Sequence, residues 1–346
     1  MRASESKSER LKDIILADMK EGVYGPDAAM PSIRELCRRY EVCKHTASQA
    51  VLALKELGLV DVSHGKQSRR SAKASDKVVH VLFVGRALSA TSEFWGDVYD
   101  GMAEAFATDP SYACEPFAVP TGDTMGDFKQ VLNPVTSRGV ILVGIENNFK
   151  NNFLKETGLP FVVACQRVSD AAVHHTVADL AGAMEQLVQA FKERGRRRLA
   201  FLGPFSADTG MEREKVKLFR ESAAAASLAA QVRDCSFELD DVYQAAVEML
   251  KREDRPDALF VSSGLICQAV YRAAVDCGLR LPEDLSIAGC DNLRQSRFMT
   301  PSLSCVDMPR RELGRLAVES LFKLMDGLAA PRRQTLEAKF IRRESI

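Results

Sequence analysis

The feature that most constrains this chain is a change of pattern near residue 78. From there to the C-terminus, continuous apolar runs alternate with helical stretches of ten to eighteen residues. The runs are VVHVLFVG (78–85), GVILVG (139–144), PFVVAC (160–165), RLAFLGP (198–204), DALFVSS (257–263) and LSIAGC (285–290). Helices are expected near 96–108, 147–157, 179–194, 211–230 and 264–277. A strand with no polar alternate positions is buried on both faces, as in a parallel sheet covered by helices. The pattern therefore predicts an α/β fold. About 250 residues is long for one doubly wound sheet, so two similar lobes are expected.

The first seventy residues read differently. Leu11, Ile14, Ile15, Asp18 and Met19 form a mostly apolar helical stripe within 8–22, closed by Gly22. Ser32 is placed to cap a short helix carrying Ile33, Leu36, Cys37 and Tyr40. After the tight connection EVC, a third helix runs from about Lys44 to Leu57, with Ala47, Ala50, Val51, Leu54 and Leu57 on its inner face. LVDVS and SRR flank the tip HGK and suggest a two-stranded wing, followed by a small, polar linker over 70–77.

Net charge is zero overall, but residues 1–77 hold 15 Lys+Arg against 11 Asp+Glu, and the remainder holds 32 against 36. The basic end is the one to test against nucleic acid. Two short helices joined by a three-residue turn make a helix-turn-helix, whose second helix enters the major groove by its first turn. Here that turn carries Lys44, His45, Thr46, Ser48 and Gln49, side chains of the kind that meet base edges and phosphates. A protein-binding adaptor with a solvated helical face is the alternative.

The nine cysteines are scattered and form no C-x-x-C, which predicts small, buried, reduced thiols. The opening MRASESKSER has no apolar core and no run of ~18 apolar residues follows, so a cytoplasmic protein without a membrane span is expected. No G-x-G-x-x-G follows the first apolar run, and G-x-S-x-G, a G-K-[ST] ending and H-E-x-x-H are absent. No enzyme, cofactor or metal is expected. His174-His175 is read as a surface pair, and Arg194 with Arg196–Arg198 as a solvated turn.

The segment LKDIILADMKEGVYGPDAAMPSIRELCRRYEVCKHTASQAVLALKELGLVDVSHGKQ resembles the winged helix of the GntR family, through its Gly-x-Tyr loop, Pro31-Ser32-x-Arg34-Glu35-Leu36, Val42, Thr46, Ala50, Leu54 and Gly58-Leu59-Val60. The resemblance implies that Arg34 contacts phosphate and that His64, Gly65 and Lys66 contact groove and backbone. Cys43-Lys44 stands where Ser-Arg is usual, Ser48 where a second Arg is usual, and Gly65-Lys66-Gln67 where a second Gly is common. The operator of relatives therefore cannot be carried over.

Residues 78–346 resemble the LacI/GalR-type regulatory domain, which is related to periplasmic sugar-binding proteins. The resemblance rests on Gly289-x-Asp291-Asn292, Thr300-Pro301-x-Leu303, Glu312-Leu313-Gly314, the tail KFIRRES and the segments RGVILVG…LPFVVACQRV, ADLAGAMEQLVQAFKERGRRRLAFLGP and PDALFVSSGLICQAV…CGLRLPEDLSIAG. It implies two Rossmann-like lobes of the type I periplasmic-binding-protein fold, with a ligand in the cleft at the strand ends. Lobe 1 would be about 78–192 plus 307–330, and lobe 2 about 193–306 plus 331–346. The implied ligand contacts are Arg86, Phe94, Trp95, Arg167, Asp179, the loop Asp208–Lys215 with either Arg213 or Lys215, Ser263 and Asp291. Asp179 and Asp291 could instead cap helices, Trp95 could simply pack, and Arg167 could pair with a carboxylate across the lobes. Ser263-Gly264 replaces the usual Asn-Asp, which argues against a standard hexose. The expected protein is a homodimeric, ligand-responsive transcription repressor binding operator DNA, with a small polar effector of the carbohydrate class.

Overall fold

The computed structural model describes residues 7–20, 31–56, 60–61, 69–70, 78–84, 93–109, 112–119, 132, 137–144, 154–155, 157–205 and 210–346. Three helices open the chain: α1 (Lys7–Lys20), α2 (Ile33–Arg39) and α3 (Lys44–Glu56). Ser32 and Glu35 form a reciprocal capping box that starts α2, with the Ser32 N–H donating to Glu35 Oε2 at 2.7 Å and the Glu35 N–H to Ser32 Oγ at 3.3 Å. The connection to α3 turns through Glu41 at φ 51°. Leu11, Ile15, Leu16, Leu36, Ala47, Ala50, Val51 and Leu54 form the shared core. Ile14, expected inside, is 47% exposed, and Leu16 takes its place. Strands β1 (Val60–Asp61) and β2 (Arg69–Arg70) pair antiparallel as the wing. Of the expected linker 70–77, Arg70 belongs to β2, and 71–77 lie outside the described residues, as do Gly22 and Leu57.

The rest builds two six-stranded sheets. The first has the order β13-β7-β6-β5-β3-β4, with β3 (Val78–Val84), β4 (Ala113–Val119), β5 (Ser137–Val143), β6 (Phe161–Ala164), β7 (His175–Asp179) and β13 (Arg333–Glu337). The second has the order β14-β12-β11-β10-β8-β9, with β8 (Arg198–Gly203), β9 (Ala229–Asp234), β10 (Ala258–Val261), β11 (Ser286–Cys290), β12 (Ser304–Asp307) and β14 (Lys339–Ile341). All neighbours run parallel except β12 and β14. In each sheet the chain reverses its winding beside the first strand, between β3 and β5 and between β8 and β10. Those are the positions where open α/β sheets leave a crevice at the strand carboxyl ends.

Helix α4 (Glu93–Phe106) packs on α9 (Arg310–Met325) over the first sheet. Their backbones approach so closely that a Cβ on Gly101 would lie 1.8 Å from the Arg311 carbonyl, and one on Gly314 would lie 2.1 Å from that of Val98. Helices α5 (Ala181–Glu193), α6 (Gly210–Ala225), α7 (Leu239–Leu250) and α8 (Cys267–Asp276) belong to the second unit.

The expected lobe boundaries shift at two places. Helix α5, assigned to lobe 1, packs against α6, β12 and β14 of the second unit. Strand β13, assigned to lobe 2, extends the first sheet beside β7. The reason is that the chain crosses between units directly after Asp179 and again at Ala338, the single residue between β13 and β14. Strand β13 also covers the histidine pair, so His174 and His175 are only 9% and 5% exposed rather than on the surface. Arg196 is likewise half-buried, donating to Ser286 Oγ at 2.9 Å and to the Glu283 carbonyl at 3.0 Å. All nine cysteines are free, but Cys43 is exposed rather than buried.

Candidate ligand cleft and nucleic-acid interface

On α3 the first turn is polar and open. Lys44, His45 and Gln49 are exposed, and Thr46 and Ser48 are half-buried, while Ala47, Ala50 and Val51 face inward. Arg34 projects exposed from the first turn of α2. The exposed Cys43 thiol lies 3.2 Å from Thr46 Oγ1, and its hydrogen bonds there hold it below the ordinary thiol range. Sequence reasoning treated Cys43 as a core residue; its place at the helix start is what exposes it. His64, Gly65 and Lys66 lie outside the described residues.

The first wall of the cleft comes from the carboxyl ends of β6 and β7 and the starts of α4 and α9. Phe94, 8% exposed, meets Trp95 edge-on at 4.6 Å and carries the Arg310 guanidinium 5.4 Å above its ring. Trp95 packs against the core behind Phe94. Arg310 is 7% exposed and pairs with Asp97 at 2.6 Å, leaving Nη1 buried without a partner. The Gln166 amide nitrogen is also buried and unpartnered. Burial pushes the adjacent Cys165 thiol up to about 12, so it stays protonated and inert.

Sequence reasoning missed Arg310 and Gln166. A signal for Arg310 was present. A cation in the first turn of a helix opposes the helix dipole, so its presence there asks for another explanation.

The second wall is a buried charged knot beneath the ends of β8, β10 and β11. Lys215, 2% exposed, donates to Glu212 Oε1 and to the Ser262 carbonyl, both at 2.8 Å. Burial works against its ammonium, but the carboxylates of Glu212 and Asp291 outweigh burial and keep it charged. Asp291, 3% exposed, accepts from Ser263 Oγ at 2.7 Å through Oδ2, while its Oδ1 and Glu212 Oε2 are buried without partners. Asp291 sits at φ 80° and caps no helix; Leu293 precedes the one-turn 3-10 helix Arg294–Phe298. Gly264 is forced by packing, since a Cβ there would lie 2.9 Å from the Cys290 carbonyl. That contact explains why the usual acidic residue is missing.

Between the walls, Arg167 grips Glu214 of α6 in a fork, with Nη2 to Oε1 at 2.6 Å and Nε to both carboxylate oxygens at 3.1 Å. It takes the cross-lobe pairing that the sequence left open. Asp179 accepts from the Ala181 N–H at 3.0 Å and so starts α5. Of the two cations in the fourth loop, Lys215 is buried in the knot and Arg213 is exposed outside it. Arg86 and Asp208 lie outside the described residues. The void lined by Phe94, Gln166, Arg167, Glu214 and Arg310 is about 10 Å³, room for about one water, so the walls are closed on each other.

Comparison with known proteins finds two matching segments in the chain. Residues 7–69 match the model of bacterial regulatory proteins of the gntR family, and residues 188–346 match a periplasmic binding protein-like domain. The HTH-type transcriptional repressor PurR of Edwardsiella ictaluri is 34% identical over 161 residues, 44% of this chain and 46% of the relative. The ribose operon repressor of Haemophilus influenzae is 23% identical over 332 residues, 92% of this chain and 99% of the relative. The chain thus spans about half the length of the PurR relatives it matches.

Among solved structures, a transcriptional regulator CelR–cellobiose complex superposes with TM-score 0.70 at 22% identity, covering 92% of this chain and all of that one. A LacI regulator from Bacillus cereus subsp. cytotoxis gives TM-score 0.69 at 19% identity, covering 78% of this chain and 98% of that one. These likenesses establish the two-lobed fold. Among the described residues no helix is long and apolar enough to cross a membrane.

Proposed function

We propose that this protein is a ligand-responsive transcription repressor rather than an enzyme. It would act in the cytoplasm as a homodimer whose two winged helices read a near-palindromic operator, because two-fold protein symmetry is matched by the site. One observation carries the reading. The chain that presents the polar first turn of α3 also holds buried, unpartnered polar atoms in both sheet units: Gln166 Nε2 and Arg310 Nη1 in the first, Asp291 Oδ1 and Glu212 Oε2 in the second. Buried polar groups without partners are costly, and a polyhydroxylated ligand answers donors and acceptors at once.

The effector class that fits is a small carbohydrate or derivative, as the cellobiose complex of the structurally similar CelR supports. Entry of such a ligand requires the lobes to part, and the coupling to DNA would be about 1–3 kcal/mol.

The test selects duplexes from a random pool with the full chain, then titrates sugars against the selected duplex. The reading expects an enriched near-palindrome and a sugar that changes its affinity at least roughly fivefold. Lys44→Ala and Arg34→Ala should weaken binding to every duplex and lower the salt slope by about one each. Ser48→Arg should change the preferred bases. Failure to enrich any duplex, or binding indifferent to Lys44 and Arg34, would overturn it.

A further inference from the structure

On the outer side of the Arg167–Glu214 pair lies a second, wider depression of about 770 Å³, separate from the knot around Asp291. Arg167, Arg332 and Arg333 reach it from the first unit, and Arg213 and Lys217 from α6 of the second. Glu214 is the one carboxylate in its lining, and it is already held by Arg167. Arg213 and Lys217 are one helical turn apart on the same exposed face of α6, and Lys217 lies 3.8 Å from Glu221. Arg332 and Arg333 are steadied by neutral oxygens, the Ala172 carbonyl at 2.6 Å and Thr335 Oγ1 at 3.0 Å.

We propose that this depression is an anion site for a small phosphate-bearing molecule, distinct from the carbohydrate cleft. Its volume lies within the range of small-molecule pockets. Arginine forks match phosphate geometry, and the cations lining the depression outnumber the carboxylates that pair with them, Glu214 with Arg167 and Glu221 with Lys217, which concentrates anions locally. A concave depression of this size suits a compact dianion better than a DNA duplex. Because both units supply cations, a bound anion holds them together and favours the closed cleft.

The test uses the full chain and inorganic pyrophosphate, titrated by calorimetry at an ionic strength fixed with chloride. Saturable binding is expected at one pyrophosphate per chain. Replacing both Arg332→Gln and Arg333→Gln should weaken it at least roughly tenfold, and so should Arg213→Gln with Lys217→Gln on the other unit. All four side chains are exposed, so the melting temperature without pyrophosphate should not change. Binding that matches chloride alone, or that is lost from one pair only, overturns the bridging site. Binding abolished by Lys44→Ala instead would place the anion on the winged helix. Competition by unrelated duplex DNA that survives Lys44→Ala would make the depression a nucleic-acid surface and overturn the small-molecule assignment. None of these outcomes depends on finding an operator or a sugar.

Discussion

The two walls of the cleft solve the same problem with opposite charge. The first offers donors, the buried Gln166 amide and the Arg310 guanidinium, which reaches across to Asp97 of α4. The second offers acceptors, Asp291 and Glu212, locked around a lysine that never meets solvent. A hydroxyl can accept from the first wall and donate to the second, so the contrast selects ligands that do both. The contrast also teaches where stability and binding overlap. In the second wall the carboxylates close on a buried lysine, while in the first Arg310 pairs outward with Asp97 of α4.

The largest effect should come from the second wall. Lys215→Met leaves the carboxylates of Glu212 and Asp291 buried without their cation, and should cost about 3–5 kcal/mol in urea unfolding. A loss under about 1 kcal/mol would mean the knot is hydrated and the contrast between the walls is weak.

Asp291→Asn comes next. Asparagine tolerates the left-handed backbone and retains an oxygen for the Ser263 hydroxyl, so folding and ligand-free DNA binding should survive. Effector affinity should fall at least about tenfold, because a charged acceptor is worth roughly 1.5–3 kcal/mol. An unchanged titration would remove Asp291 from the site and leave the second wall purely structural.

A smaller effect belongs to the bridge. Arg167 and Glu214 are 39% and 21% exposed, so their coupling in a double-mutant cycle should be about 0.5–1 kcal/mol. Glu214→Gln should make the chain measurably more open in small-angle scattering. If compaction is unaffected, the walls are held shut by apolar contact instead.

The smallest effect concerns pH and separates the sheets. His80 is buried in the first sheet, and the second unit carries no histidine between 193 and 306. Burial lowers the folded pKa of His80, only partly offset by Glu115 at 3.7 Å. The unfolded chain therefore binds the proton more readily, and stability is lost as pH falls below about 6.5. His80→Phe should flatten that decline relative to the parent protein; identical slopes would mean that His80 does not titrate differently on folding.

Much of this was legible in the chain. The central strands β3, β5, β8, β10 and β11 announce themselves because both faces are covered and nearly every position past their first residues is apolar. The edge strands β4, β9, β13 and β14 do not, because half of their side chains meet solvent and ACEPFAV or AAQVRD carries no clear period. The strand after His174-His175 is legible in the sequence, but the burial of the pair is not, because it comes from β13, far along the chain. Helix α7 and strand β12 were not anticipated either. The choice between Arg213 and Lys215 could have been sharpened. Glu212, Lys215, Val216 and Phe219 fall on one helical stripe, and only the charge of the first two disguised it as a surface.

The sequence by itself determined the helix-turn-helix, its polar recognition turn and the parallel α/β character of the rest, because these depend on local periodicity and caps. The tertiary structure decided which carboxylates are buried, which arginines bridge the lobes and where the chain crosses between them. Those outcomes depend on partners more than forty residues away in the chain, such as Glu214 for Arg167 and Asp97 for Arg310, and no local pattern records a distant partner.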